Sequence, residues 1–343
     1  MWPGCNPTPC TQVAPHQVVK LPSPNPNPNQ VVKLLLELGA APDTRNKQGA
    51  TPLSHAAFRG QLGALQQLLA HGADLLLASP LHAALGRGAA LRGKRLTKAV
   101  DQLLAAGASP DSVALAMAAE AGEAGAAASL LKAGVAVDEA VGSSGTSPLI
   151  KAAAAGRAEI VRLLVRHGAD VNAIAGGGGS PCYIPLPCYI PLSCYVPISC
   201  YTPYRATPPY RATPPHRATK IAGENMYGAS ALYLAAQGGH HAACLALIEA
   251  GAAVDAALVQ MGVTSLFVAA ERGSLVITNL LLSHGAATEA RNWNGVTPLH
   301  MAAMRGHIEV VHALRAAAAS LDTASNEGAT PLLSVAAGAY VET

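Results

Sequence analysis

Short apolar runs with helical spacing recur along this chain, each closed by a glycine and separated from the next by a polar turn. In the segment Asn294 to Val311, Leu299, Ala302 and Ala303 fall at helical steps and form one thin apolar face. Asn294-Gly295 before them is a turn signal, because both residue types tolerate positive φ. Pro298 suits a first helical turn, where a missing N–H costs nothing, and Thr297 stands where an N-cap is wanted. Gly306 follows at the place where a left-handed residue ends the helix. A second pattern is clearest from Glu159 to Asp170, with apolar residues at 160, 161, 163 and 164 and Gly168 behind them. It predicts a second helix with its own closing glycine. The predicted unit is therefore helix, tight turn, helix and projecting hairpin loop.

Starts of this unit fall at Thr51, Ser79, Val113, Ser147, Ser230, Thr264, Thr297 and Thr330, at intervals of 28, 34, 34, 83, 34, 33 and 33 residues. A fixed period in this range predicts an all-α solenoid of stacked helix-turn-helix units, none of which can bury its apolar face alone. About seven full units are expected, with partial units at both ends.

Thr297-Pro298-Leu299-His300 and the Gly-Ala-Asp triplets at 72–74 and 168–170 stand in register with this period. On these marks the chain resembles the ankyrin-repeat family; tetratricopeptide repeats share the period, but their Trp and Tyr marks are missing. The resemblance implies a binding scaffold whose partner is another protein, held across the hairpin tips and the concave face of the first helices. It also implies that His82 and His300 hydrogen-bond between neighbouring loops. A second reading is that the chain is the targeting module of a larger enzyme or channel. Asn172, after Gly-Ala-Asp-Val, stands at a hairpin position that is hydroxylated in some members of the family.

Departures from the period divide the chain into four regions. Residues 1–29 are rich in Pro and Asn and are expected to be disordered; 30–173 carry a first block of repeats; 174–222 form a low-complexity insertion; 223–343 carry a second block. The first block opens on a lone second helix, read from Val31 to Ala40 and closed by Gly39, preceded by a Pro/Asn run that cannot be helical. The pentapeptide Gln17 to Leu21 reappears there as Gln30 to Leu34. From Ser79 to Gly107 the helices stand 28 residues apart rather than 21, and the extra turn carries Arg87, Arg92, Lys94, Arg95 and Lys98. A solvated loop is the expected reading of that basic run. The start at Val113 lacks Thr and Pro, and at the end of the unit 295–318 Ala318 replaces the closing glycine, which weakens that helix end.

The insertion holds the hexapeptides PCYIPL twice, SCYVPI, SCYTPY, RATPPY and RATPPH. Proline at this density excludes helix and sheet interior, and the two blocks are expected to stack as one solenoid across it. Cys182, Cys188, Cys194 and Cys200 are spaced six apart, whereas structural zinc ligands pair two to four apart, so no metal is expected. Thr207-Pro208 and Thr213-Pro214 are minimal sites for proline-directed kinases.

Composition changes this picture little. Net charge is +3, too small and too scattered for a nucleic-acid footprint. No run of 18 apolar residues lacks charge, so no membrane span is expected. Seven cysteines lying mostly in low-complexity sequence do not form a disulfide framework, which points to a reducing, cytoplasmic or nuclear compartment. No nucleophile motif, phosphate-cradling loop or metalloprotease helix is present, so neither a catalytic residue, a cofactor nor a small-molecule substrate is expected. Mapped by register, the exposed first-helix positions are His55, Phe58, Arg59, Lys151, Leu234, Gln237, Val268, Glu271, Met301, Met304 and Arg305, with Trp293 at a hairpin tip. These residues, His55 apart, are the predicted partner-binding set, because apolar and aromatic residues flanked by charge are the usual anchors of an interface.

Overall fold

The computed structural model describes residues 28–86, 88–142, 145–176, 228–259 and 261–337. The expectations for residues 1–27, for Arg87, and for the hexapeptide tract with its cysteines and Thr-Pro pairs lie outside the described residues. Pro28 and Asn29, assigned above to the N-terminal tail, belong to the first helix, α1 (Pro28–Glu37). Seven helix pairs follow: α2 (Pro52–Arg59) with α3 (Leu62–Ala70), α4 (Pro80–Leu85) with α5 (Gly93–Ala105), α6 (Ser112–Ala121) with α7 (Ala124–Lys132), and α8 (Pro148–Ala154) with α9 (Ala158–Arg166). Beyond the insertion come α10 (Ala231–Gln237) with α11 (His241–Glu249), α12 (Ser265–Glu271) with α13 (Leu275–Ser283), and α14 (Pro298–Met304) with α15 (Ile308–Ala316). A single helix, α16 (Pro331–Ala337), closes the described array. Among the described residues there are no strands, only isolated bridges within the hairpins.

The even-numbered helices stack on one another from α2 to α16, and the odd-numbered helices from α1 to α15. The alanine pairs let the first helices approach closely: Ala57, Ala84, Ala118, Ala119, Ala152, Ala153, Ala235, Ala236, Ala269, Ala270 and Ala302 are fully buried. Leucines of the second helices, such as Leu65, Leu103, Leu130, Leu164, Leu247 and Leu281, fill the space behind them.

Caps start most of the first helices where the sequence places them. Ser147, Ser230 and Thr264 each accept a hydrogen bond from the backbone N–H three residues on, and Thr51 exchanges such bonds reciprocally with Ser54. Two starts are corrected. The third unit begins at Ser112, not Val113, because Asp111 is the cap and accepts from the Ala114 N–H at 2.8 Å. Ser79 makes no capping bond: after the shortened hairpin, Ala78 and Ser79 take φ of 56° and 35°, outside the extended conformation that a cap adopts. The basic run is corrected in part, since Lys94, Arg95 and Lys98 sit on α5, which begins one turn earlier than the register requires. They are exposed, whereas the loop residue Arg92 lies 3.8 Å from the buried carboxylate of Glu123. Ala318 does adopt φ 64°, the conformation that glycine would take without strain.

Three sets of hydrogen bonds tie most units to their neighbours. At the hairpins, side-chain oxygens accept a backbone N–H of the following unit: Asp43 from Asp74, Asp138 from Asp170, Asp255 from Ala287 and Glu289 from Ser320, at 2.8–3.0 Å. At the turn between paired helices, Arg157 donates to the Glu120 carbonyl, His240 to that of Ala154 and His307 to that of Glu271. These rings explain two glycines. Gly156 and Gly273 have φ of 70° and 69°, and a Cβ at either would lie 2.5 Å from the Nδ1 of His240 or His307. The third set is the pair of histidines named above: His82 Nε2 meets Asp111 Oδ1 at 2.9 Å, and His300 Nε2 donates to the Ala329 carbonyl at 3.0 Å.

The same bonds cross the insertion. Ala175 and Gly228–Ala229 exchange backbone hydrogen bonds of 2.7 and 2.9 Å, α8 packs on α10, and Asn172 Oδ1 accepts the Ala253 N–H at 2.8 Å. Asn172 and Ala253 are 81 residues apart in sequence, yet they make the contact that Asp138 and Asp170 make over 32. The insertion thus leaves one hairpin at Gly176 and returns to it at Gly228 without breaking the stack.

Candidate partner-binding surface

The first helices and the hairpin tips position every residue of the predicted set, and the structure separates that set into three groups. Leu234 and Val268 are corrected: each is only 3% exposed. They lie on α10 and α12, whose flanks are covered by α8, α12 and α14, so the position that register leaves open is closed by the neighbouring unit. Both are core residues.

A second group stays accessible at the C-terminal ends of the first helices. Arg59, Met304 and Arg305 are exposed, and Phe58, Lys151, Gln237, Glu271 and Met301 are half-buried. Two pairs join these charges across units, Arg305 with Glu271 at 2.8 Å and Lys151 with Glu120 at 3.7 Å. Such partly exposed pairs contribute little to stability, at most about 1 kcal/mol, so a partner can replace either member at small cost. Met301 leans on the core, while Met304 is 38% exposed. His55 is exposed midway along α2 and helps line a shallow depression with Arg45, Asn46, Ala50 and Pro52.

Trp293 forms the third group with residues that register did not single out. It is 67% exposed, the turn before α14 holds it out, and its backbone is pinned. The Trp293 N–H donates to the Met261 carbonyl at 3.1 Å, and its own carbonyl accepts from Asn326 Nδ2 at 2.7 Å. Asn292 Oδ1 gathers the N–H groups of Asn294 and Val296 and closes the turn. The indole covers Gly262, where a Cβ would lie 2.9 Å from Trp293 Cδ1. On the adjacent tip, Val259 and Met261 are 62% and 38% exposed. The signal was present in the sequence as apolar residues inside a predicted turn, between the bridged pair Leu258 and Val263. Trp293 stands ahead of the first residue of α14 and Met304 is the last residue of that helix, whose seven residues span about 10 Å. The anchors are two spots joined by one helix face, not one cluster.

Among the described residues, two titratable groups are clearly shifted, His300 and Cys244. His300 is fully buried next to Thr297. Because its Nε2 must donate to a carbonyl, Nδ1 is the acceptor, and the N–H and O–H of Thr297 both point at it, at 3.3 and 2.8 Å. Burial lowers its pKa below the usual histidine value, as does Arg291; the Ala329 carbonyl and Glu289 act in the opposite direction. Burial pushes the Cys244 thiol up to about 12, so it is a small core residue and not a nucleophile. Among the described residues no group of three or more His, Cys, Asp or Glu side chains could hold a metal ion, and no helix is long and apolar enough to cross a membrane.

A search of curated proteins found no match. Family models do match: the description "Ankyrin repeats (3 copies)" covers residues 16–90, 87–175 and 215–292, and "Ankyrin repeat" covers 294–326. With most of its length matched and its helices paired and stacked at that period, the chain belongs to the ankyrin-repeat family, whose members are generally protein-interaction modules.

Proposed function

We propose that this chain is a non-catalytic scaffold that holds a protein partner along the hairpin tips and first-helix ends of its second block, with Trp293 and Met304 as anchors. One observation supports this reading above the others: a largely exposed indole standing on a turn that is hydrogen-bonded to the tips on both sides. An aromatic side chain already held in place loses little freedom on binding, so its burial converts more fully into affinity. Val259 and Met261 extend the apolar tip by one unit, and the Glu271–Arg305 pair supplies a polar edge at the far end of α14. Phe58, Arg59, Lys151 and Gln237 serve as secondary contacts on this reading, while Leu234 and Val268 drop out of it.

The test is quantitative capture from a cell extract by the wild-type chain, by Trp293→Ala/Met304→Ala, and by Leu76→Ala, a control whose exposed leucine lies on a first-block hairpin. Proteins retained by wild type and by the control should be lost from the double variant, with the helical circular-dichroism signal unchanged. Equal retention by all three would remove the assignment.

A further inference from the structure

The hairpin at residues 43–50 is built like the one at 289–296. Asn46 Oδ1 accepts the N–H groups of Gln48 and Ala50, as Asn292 Oδ1 accepts those of Asn294 and Val296. Asp43 accepts the N–H of Asp74, and Glu289 that of Ser320, so the following hairpin sets out from the same place in both blocks. In the second block it goes on to cover the tip before it. Asn326 donates its backbone N–H to the Asn294 carbonyl and its side-chain amide to the Trp293 carbonyl, at 3.0 and 2.7 Å. Arg291 donates to the Ala324 carbonyl, and Asn326 lies over Gly295. Trp293 over Gly262 and Val259 over Gly228 repeat that cover in the units before.

The first block lacks the covering piece. From Asp74 the chain reaches Ser79, at the start of α4, in five residues, where Ser320 to Thr330 takes ten. The Leu76 N–H donates to Asp74 Oδ1 at 2.8 Å and closes this stub, leaving the Leu76 side chain 81% exposed. The next tip is shorter still, because Asp111 caps α6 only four residues beyond Gly107. Among the described residues, nothing lies within 4 Å of where a Gly49 Cβ would stand, and nothing donates to the Gln48 carbonyl, the counterpart of the Asn294 carbonyl. Arg45, Lys47 and Gln48 are exposed along the same edge. The short tips leave a notch, and its first wall keeps the groups that receive a hairpin in the second block.

We infer that this notch binds an acidic, turn-forming segment of a partner protein, which takes the place of the absent hairpin. Backbone bonding to an open edge supplies affinity whatever the sequence, and side chains supply the choice of partner. The segment donates an N–H to the Gln48 carbonyl, offers a carbonyl or carboxylate to Arg45, and lies over Gly49. Charge sets the acidic requirement. The piece that the second block lays against Arg291 carries Asp322 and Glu327 and no basic residue, and the open edge adds Lys47 to Arg45. Asp43, the acid nearest to them in sequence, is engaged by the Asp74 N–H at the foot of the hairpin. This site lies in the first block and does not rest on Trp293 or Met304.

The test uses the full chain labelled with nitrogen-15, with a synthetic peptide of residues 320–330 as the probe, added to about 1 mM. Amide signals of Arg45 to Ala50 and of Leu76 should shift in step with peptide concentration. Those of Arg291 to Val296 should not, because the chain's own hairpin covers them. A peptide with Asp322→Lys and Glu327→Lys should bind about tenfold more weakly, as should the unaltered peptide to Arg45→Glu/Lys47→Glu. Replacing residues 75–78 with a copy of residues 321–329 restores the ten-residue path. That variant should bind no peptide, and its own Arg45 to Ala50 signals should move towards the peptide-bound positions. Trp293→Ala/Met304→Ala should bind the peptide as wild type does, so the two sites fail separately. Circular dichroism matching wild type shows that each variant is folded. No shift at Arg45 to Ala50 would overturn the proposal, as would equal binding by the lysine peptide or shifts centred on the second block.

Discussion

The block 28–176 and the block 228–337 are built from the same unit, yet only the second keeps it in strict repetition. From α10 to α15 the helices alternate seven and nine residues. In the first block the first helices run from six to ten residues and α5 reaches 13. The hairpin before α4 is short and carries Ala78 and Ser79 in left-handed conformations without a cap. Regular spacing brings consecutive tips into one row, which is how Trp293 comes to rest on the Gly262 turn beside Met261. Irregular spacing breaks that row. The exposed Leu76 of the first block, four residues after Gly72, has Asp43 and Asp111 at the matching positions after Gly39 and Gly107. In a solenoid, where each unit touches only its neighbours, local irregularity limits the reach of a binding surface without unravelling the stack.

The strongest way to break the comparison is to open a cavity in one block and watch the other. Leu130→Ala, at a fully buried position in α7, should cost about 2–5 kcal/mol. Hydrogen exchange followed through a urea titration should show early opening around α6, α7 and α8, with α11 to α15 still protected. Equal loss of protection in both blocks would mean that they unfold as one cooperative body. Leu281→Ala in α13 should give the mirror result.

Asn172→Ala attacks the junction itself. Removing the acceptor of the Ala253 N–H should cost about 1 kcal/mol and speed exchange at Ala253 and its neighbours, while amides near α3 and α14 stay unchanged. A smaller gain is expected from relieving strain: Ala78→Gly and Ala318→Gly should each raise the thermal midpoint, by up to about 1 kcal/mol of stability, because glycine adopts these positive φ values freely. The same change at Ala105, inside α5, should lower it.

The subtlest contrast is with pH. The folded pKa of His300 lies below its unfolded value of 6.5, so the unfolded chain binds the proton more readily. Stability from this residue is therefore complete above about pH 6.5 and is lost as pH falls through the lower folded pKa. Thermal melts from pH 7.5 down to pH 5 (approximate endpoints chosen to bracket the usual histidine range) should show the last units of the second block loosening first. In His300→Gln the part of that dependence owed to His300 should vanish.

Much of this architecture is written in local chemistry. Thr51, Ser147, Ser230 and Thr264 were legible as caps because a cap concerns a side chain and the N–H three residues on. His82 and His300 were legible as ties between units once their register was known. Asp111 was missed because the cap there is an Asp two residues ahead of the expected start. Ser79 misled because its sequence suits a cap while the short hairpin denies it the geometry. In the binding set, Arg59, Trp293, Met304 and Arg305 are exposed, whereas Val259 and Met261, which share the adjacent tip with no aromatic residue to mark it, lie outside that set.

The amino-acid sequence by itself determined that short helices form, where most of them start and stop, and that they recur every 33 residues or so. These outcomes follow from interactions within one or two turns of chain. Only the tertiary structure decided that Leu234 and Val268 are core while Trp293 is surface, and that Asn172 reaches Ala253 across the insertion. Each of these depends on which helix lies alongside, and a neighbour brought in by stacking is invisible to any pattern read within a single unit.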